Sequence, residues 1–333
     1  MAVVLGIITG LAFGFVLQRG RLCFNSAFRD LILLKDNFLF KAGLFAIALS
    51  AVGFQLMAHL GWIHLNPKPL SWSGVIIGAF VFGIGMVLAG GCASGTTYRV
   101  GEGSTTAWFA AIFYGLAGYA TKSGALNPLK TLVSSPAIKV PTNSTVYLGE
   151  EVGPTLATLL NVNPWVVAIA FAALICVYLF ATKTTERPES PWNWKLIGLL
   201  VLPVAMFGFW SSTISGRAYG LGITGGWINI FSSITTEGTL NWEGAEILGI
   251  ILGALITALI TKEFKFRLPR EGSTYLKVAA GGILMGFGAV TAGGCNIGHF
   301  LSGIPQLAIS SIVAGVFFIL GNWATSWLMY GRE

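Results

Sequence analysis

Apolar residues fall in nine long runs, near 2–19, 38–60, 72–91, 105–123, 157–182, 195–213, 243–261, 275–294 and 305–330, separated by short polar or glycine-rich segments. Crossing a hydrocarbon core of ~30 Å takes ~20 residues of helix, so each run is long enough to span a bilayer. In lipid every backbone polar group must be satisfied inside its own segment, and runs of this length therefore read as helices and not as barrel strands. The predicted fold is an all-α polytopic membrane protein of about nine transmembrane helices with short re-entrant half-helices. The first run has no basic segment before it and no small-residue cleavage pattern after it, only Gln18-Arg19-Gly20-Arg21, so it is expected to stay as a span and not to be removed as a signal peptide.

Composition agrees with this reading and excludes a soluble fold: 54% of the 333 residues are hydrophobic and only 10% are charged. The net charge of +7 is explained by topology and carries no nucleic-acid meaning. Lysine and arginine concentrate in the segments 19–41 and 183–195, in the basic segment 262–277, and at Arg99 and Arg332. The opposite loops hold only Lys68, Lys122, Lys130, Lys139 and Arg217. Positively charged loops stay in the cytoplasm, so the N-terminus is predicted outside and the C-terminus inside a bacterial inner membrane. The bias survives leaving out Arg21, Arg99 and Arg217, which adjoin breaks in the apolar pattern.

An internal repeat organises the chain. Residues 83–104 (GIGMVLAGGCASGTTYRVGEGS) and 286–304 (GFGAVTAGGCNIGHFLSGI) share the frame G-x-G-x-V-x-A-G-G-C. Upstream, Phe13-Gly14-Phe15 leads to Gly20-Arg21, as Phe207-Gly208-Phe209 leads to Gly216-Arg217. The expected layout is one transmembrane domain: repeat one at about 1–125, a linking loop and span at 126–190, and repeat two at about 195–333. One linking span between two four-span units starts the second unit on the opposite side of the membrane, which is the inverted arrangement common among transporters.

The chemistry gathers where the repeats break. Each apolar run ends in a glycine pair and a cysteine, with Gly91 before Cys92 and Gly294 before Cys295, and turns polar at Ser94, Thr96 and Thr97 or at Asn296 and His299. Such a sequence predicts a discontinuous helix whose second piece presents free N–H groups to an anion. A single Gly-Gly pair would otherwise serve close helix packing, and the duplication favours the break. Ser94, Thr96, Thr97 and Asn296 either line a filter or cap the short helices.

Of the four cysteines, Cys23 joins Cys92 and Cys295 at a polar break, whereas Cys176 lies in a uniformly apolar run and reads as a small buried hydrophobe. Their long spacings speak against a disulfide framework, and free thiols suit a soft, sulfur-containing solute. Arg21 and Arg217 hold matching Gly-Arg positions, either facing a pathway, where they favour an anion, or snorkelling to the interface. His299 lies one helical turn after Cys295 and reads as a pathway or helix-end residue more readily than as half of a soft-metal pair. There is no glycine-rich nucleotide fingerprint, so neither ATP hydrolysis nor a cofactor is expected. Glu243 and Glu246 are placed at one outer helix end, which leaves no evident proton relay.

With its F-x-L-x-R-G-R-x-C-F segment, duplicated A-G-G-C and nine-run layout, the whole chain resembles the YeeE/YedE family of sulphur-transport membrane proteins. The resemblance implies thiosulfate uptake through an hourglass-shaped, non-enzymatic permease whose constriction is lined by cysteines; by motif position these are Cys23, Cys92 and Cys295, not Cys176. It implies a relay of S–H···S contacts along these thiols. It also implies a separate cytosolic TusA-like sulfur-carrier partner, because the chain stops at Glu333 without such a domain; the basic segment 262–277 is either its docking surface or only the topogenic signal. A selenium-compound or soft-metal carrier, and a sulfurtransferase forming a cysteine persulfide, are the competing readings.

Overall fold

The computed structural model describes residues 1–188, 190–236 and 238–331; Arg332 and Glu333 lie outside the described residues. The chain begins with α1 (Ala2–Gly20), α2 (Phe24–Leu33), α3 (Phe38–His59), α4 (Trp72–Leu88), α5 (Ala93–Gly101) and α6 (Thr105–Ser123). A connecting segment carries α7 (Asn127–Val133), the two-residue strands β1 (Val140–Pro141) and β2 (Glu151–Val152), α8 (Leu156–Leu160) and α9 (Pro164–Ala181). Then follow α10 (Trp194–Ile214), α11 (Thr224–Thr235), α12 (Trp242–Ile260), α13 (Ser273–Ala292) and α14 (Ile309–Tyr330). Between the last two lie a π-helical turn, Gly298–Gly303, and a 3-10 turn, Ile304–Gln306.

Among the described residues eight helical segments are long and apolar enough to cross a membrane, the broken pairs α1–α2 and α4–α5 each counting as one. The ninth predicted span corresponds to α6, which has 19 residues but is less apolar. The run predicted at 157–182 is not one helix. Asn161 takes a left-handed φ of 53° and closes α8, and α9 restarts with Pro164 in its first turn while the Asn163 side chain accepts the Trp165 N–H at 2.9 Å.

Glycine seams hold the bundle together. Gly6, Gly10 and Gly14 of α1 lie against the backbone carbonyls of Trp242, Glu246 and Ile250 on α12, and Gly249 and Gly253 return the contact to Ile7 and Leu11. Without a hydrophobic driving force between helices in lipid, such close backbone approach is what gains packing energy. The Gly249-x3-Gly253 stripe is thus consumed inside the fold.

Helix pairings occur in exchanged sets. α1 packs on α12 as α10 packs on α3; α4 packs on α14 as α13 packs on α6; α2 meets α14 as α11 meets α6. α4 and α13 pack on each other, as do α1 and α10.

Two sequence expectations are corrected here. Lys41, counted as a loop charge, is buried, and its Nζ donates to the carbonyls of Leu179 (3.1 Å) and Thr182 (2.6 Å) and to Thr184 Oγ1 (3.0 Å), capping the C-terminus of α9. Cys176 is half-buried, because α9 sits at the rim of the bundle and turns most of its surface outward.

Candidate functional site

Both predicted helix breaks are present. α4 stops at Leu88, Gly90 adopts a φ of 67°, and α5 restarts at Ala93. α13 stops at Ala292, Gly293 adopts a φ of 86°, and helical structure resumes at Asn296. The left-handed conformation falls on the first glycine of each pair, not on Gly91 or Gly294, and a side chain at Gly90 or Gly293 would be strained there. Each break carbonyl is met by a cation: Arg99 donates to Gly90 O at 2.7 Å, and Lys68 donates to Gly293 O.

All three cysteines expected to line a pathway precede helix starts. Cys23 is the N-cap of α2, and Cys92 is the N-cap of α5, its sulfur accepting the Gly95 N–H at 3.4 Å. Cys295 precedes the turn that begins at Asn296, and its carbonyl accepts the His299 N–H at 3.0 Å. Unpaired N–H groups and the positive ends of helix dipoles therefore converge on the thiols, an environment that favours negative charge.

Two sulfurs touch, with Cys23 Sγ and Cys92 Sγ 3.5 Å apart and Ser94 Oγ 3.4 Å from Cys92 Sγ. All four cysteines are free thiols. A Cβ on Gly95 would come within 2.5 Å of Cys23 Sγ and 3.4 Å of Cys92 Sγ. Gly95→Ala is thus expected to force the two sulfurs apart and to cost about 1–3 kcal/mol by overpacking, which a thermal unfolding scan in detergent would register.

The third thiol makes no hydrogen bond to this pair among the described residues. Tyr114, fully enclosed, lies beside Cys295 with Cys92 also in its field, and its hydroxyl shares a 2.7 Å hydrogen bond with Thr224 Oγ1. Cys23, Cys92 and Cys295 are 1%, 0% and 1% exposed, so the thiol region is closed in this conformation.

A cavity of about 300 Å³ has Cys295 in its wall and is lined by Lys68, Lys122, Lys130 and Arg217 against one carboxylate among the described residues, Glu243. Such walls raise the local concentration of anions. Arg217 is not free: its Nε is 3.0 Å from Glu243 Oε1, and Nη1 donates to Ser212 Oγ and to the carbonyls of Tyr219 and Gly220. Burial, aided by Arg217, pulls the Lys68 ammonium down to about 8.

A second cavity, of about 570 Å³, holds Arg21 and Arg187 but also Asp36, Glu186 and Glu263, and so has mixed charge. Here Arg21 is bound to Glu102 Oε1 at 2.5 Å and to Glu263 Oε2 at 2.6 Å. Gln18 Nε2 donates to the same two carboxylates, at 3.1 and 2.8 Å. The matching Gly-Arg positions also differ locally, because the left-handed φ falls on Arg21 itself in one and on Gly216 in the other.

The remaining predicted residues divide. Thr97 is structural, its hydroxyl donating to Ala93 O at 2.8 Å and accepting Trp227 Nε1–H at 3.0 Å. His299 Nδ1 is 2.9 Å from Ser311 Oγ. Among the described residues Thr96 Oγ1, both Asn296 side-chain atoms and His299 Nε2 are buried without a partner. Thr96 Oγ1 lies toward Gly91 and His299 Nε2 toward Gly294, so each break presents an unsatisfied polar atom four residues past its cysteine.

Sequence reasoning missed Tyr114, Glu102 and the placement of Lys68, Lys122 and Lys130 around one cavity. The lysines had a signal: cations on the side that topology leaves poor in charge need a reason other than topology. Tyr114 had none, being one apolar-run aromatic among many.

Spanning helices broken at two glycine-cysteine elements, with a cation-lined cavity whose wall includes a buried thiol, define a multi-pass membrane transporter. A family profile described as "Sulphur transport" matches residues 19–324, and the chain belongs to that family. A thiosulfate transporter TsuA of Spirochaeta thermophila is 56% identical over 327 residues, covering 98% of this chain and 99% of its own. The thiosulfate transporter TsuA of Escherichia coli K12 is 34% identical over 334 residues, covering 98% and 94%. A probable transporter YedE of Salmonella typhimurium is 40% identical over 107 residues, 32% of this chain and 26% of its own.

Proposed function

We propose that this protein is a thiosulfate permease in which the free thiols of Cys295, Cys92 and Cys23 act as a relay. The observation that carries the reading is the cavity of four cations and one described carboxylate whose wall includes Cys295. Cations there neutralise the dianion, and the Cys295 thiol meets its terminal sulfur. The sulfur then passes to Cys92 and Cys23, beside Tyr114, with the helix N-termini at each thiol standing in for lost hydration. The orphan atoms of Thr96, Asn296 and His299 take its oxygens in turn.

The mixed charge of the Arg21-side cavity suits release, which gives inward transport if the N-terminus lies outside and the C-terminus in the cytoplasm of a bacterial inner membrane. The exchanged helix pairings support two inverted repeats, at about 1–125 and 195–333, joined by 126–190. On the inner side the basic segment 262–277 is the surface we assign to a TusA-like sulfur carrier. Similarity over nearly the whole chain to two proteins named thiosulfate transporters supports thiosulfate over other sulfur or selenium solutes.

The test is uptake of radiolabelled thiosulfate by proteoliposomes. Unlabelled thiosulfate is expected to compete and sulfate, which lacks the terminal sulfur, is not; equal competition by sulfate would refute the relay. A stable sulfur-atom adduct on a cysteine by mass spectrometry would favour the sulfurtransferase instead.

Lys68 adds a pH signature. Its charge is present below about 8 and lost above it, so exchange measured at equal pH on both sides should weaken as pH rises through that value. A Lys68→Arg variant, which keeps its charge, should lose that dependence. An unchanged pH profile in this variant would remove Lys68 from anion capture.

A further inference from the structure

Glu246, placed by its sequence at a helix end, lies inside α12, is 0% exposed, and has no hydrogen-bond partner for either carboxylate oxygen among the described residues. It sits one turn past Glu243, whose carboxylate is taken by Arg217 at the wall of the Lys68-side cavity. Arg217 and Glu243 are the charged groups in its field, and the backbone N–H of Gly222, a cavity residue, lies toward it without closing a hydrogen bond.

Among the described residues, the elements packed on α12 bring no other titratable group to it. α1 presents the backbones of Gly6 and Gly10 at this level, and its one basic residue, Arg19, lies at the far end. α11 presents Gly226 and carries no ionisable side chain. α5, with Tyr98 and Arg99, meets α12 further along, where Gly101 touches Ile251.

A buried carboxylate with no cation of its own is tolerated far better as the neutral acid than as the anion, and ionisable groups inside spanning helices mark ion and proton routes. A dianion entering against an inside-negative potential is opposed by its own charge, and a proton moving with it halves that charge. We propose that Glu246 is the proton-binding site of a proton–thiosulfate symport, an inference that rests on the thiosulfate reading above. When the carboxylate is opened to the water of the anion-filled cavity, a hydronium O–H bond breaks as the Glu246 O–H bond forms, leaving water; on the opposite side the Glu246 O–H bond breaks and the proton returns to water as hydronium.

The experiment uses the full-length protein in proteoliposomes with a pH-sensitive dye in the lumen. Adding thiosulfate outside should acidify the lumen, and an acid-outside gradient should raise wild-type accumulation by up to about tenfold per pH unit. Glu246→Gln should exchange thiosulfate at the wild-type rate at equal pH, yet neither acidify the lumen nor respond to the gradient. Thiosulfate entry without acidification in the wild type, or intact coupling in Glu246→Gln, overturns the symport while leaving the permease standing. No thiosulfate entry in the wild type overturns the permease, and the symport with it. If Glu246→Gln does not insert, the wild-type dye response decides, and Glu246→Asp should retain it.

Discussion

A Cys92→Ala variant is expected to lose about 10- to 100-fold in thiosulfate uptake while remaining folded. A hydrogen bond to a charged group contributes ~1.5–3 kcal/mol, and each ~1.4 kcal/mol is a tenfold change in rate. Cys92 is where the largest loss falls, because its sulfur is both 3.5 Å from Cys23 and the acceptor of the Gly95 N–H that starts α5. Removing it leaves Cys23 facing a gap and the half-helix uncapped. The stability cost is small by comparison, ~1 kcal/mol for a lost cap. Cys176→Ala, on the rim helix α9, should transport like the wild type, and Cys92→Ser should fall between the two, keeping a donor but losing the polarizable sulfur. Uptake by Cys92→Ala at the wild-type rate would end the relay.

Glu102→Ala is expected to give the largest loss of stability of any single change in the Arg21-side network. The Glu102 side chain is 0% exposed and receives Arg21 and Gln18, with Arg267 3.7 Å from its second oxygen. Removing one partner of a buried ion pair costs ~3–5 kcal/mol; Arg21 and Arg267 are 39% and 45% exposed, so solvent screening brings the expectation to about 2–3 kcal/mol. Thermal unfolding in detergent reads the effect directly, and Glu102→Gln, which keeps an acceptor for Gln18, should recover part of it. Glu102 closes α5, the half-helix that Cys92 opens, so its loss should also loosen the thiol pair and raise the accessibility of Cys23 to maleimide labelling. Unchanged midpoint and labelling would mean that the network is a solvated surface cluster.

The breaks were legible because glycine pairs, cysteines and polar residues interrupting a duplicated apolar run leave few other ways to satisfy the backbone in lipid. The same evidence did not say which glycine turns left-handed, and Gly90 and Gly293, not Gly91 and Gly294, do so. Arg21 and Arg217 were found as candidates, but their carboxylate partners come from distant segments: Glu102 and Glu263 for one, Glu243 for the other. Thr97 resembles its neighbour Thr96 in sequence, but its hydroxyl bonds Ala93 O and Trp227, packed from α11, whereas Thr96 Oγ1 has no partner among the described residues. Glu246 was read from its nearness to a helix start, whereas α1 and the Arg217 segment cover it.

By itself the sequence determined the helical membrane fold, the two breaks and the three cysteines, because each follows from local rules: run length against bilayer thickness, the conformational freedom of glycine, and the periodicity of a repeat. Only the tertiary structure decided that two thiols touch, that lysines and Arg217 surround the third, and that Glu246 is sealed from water. Charge environment and sulfur–sulfur contact depend on which helices pack together, and packing joins residues hundreds of positions apart.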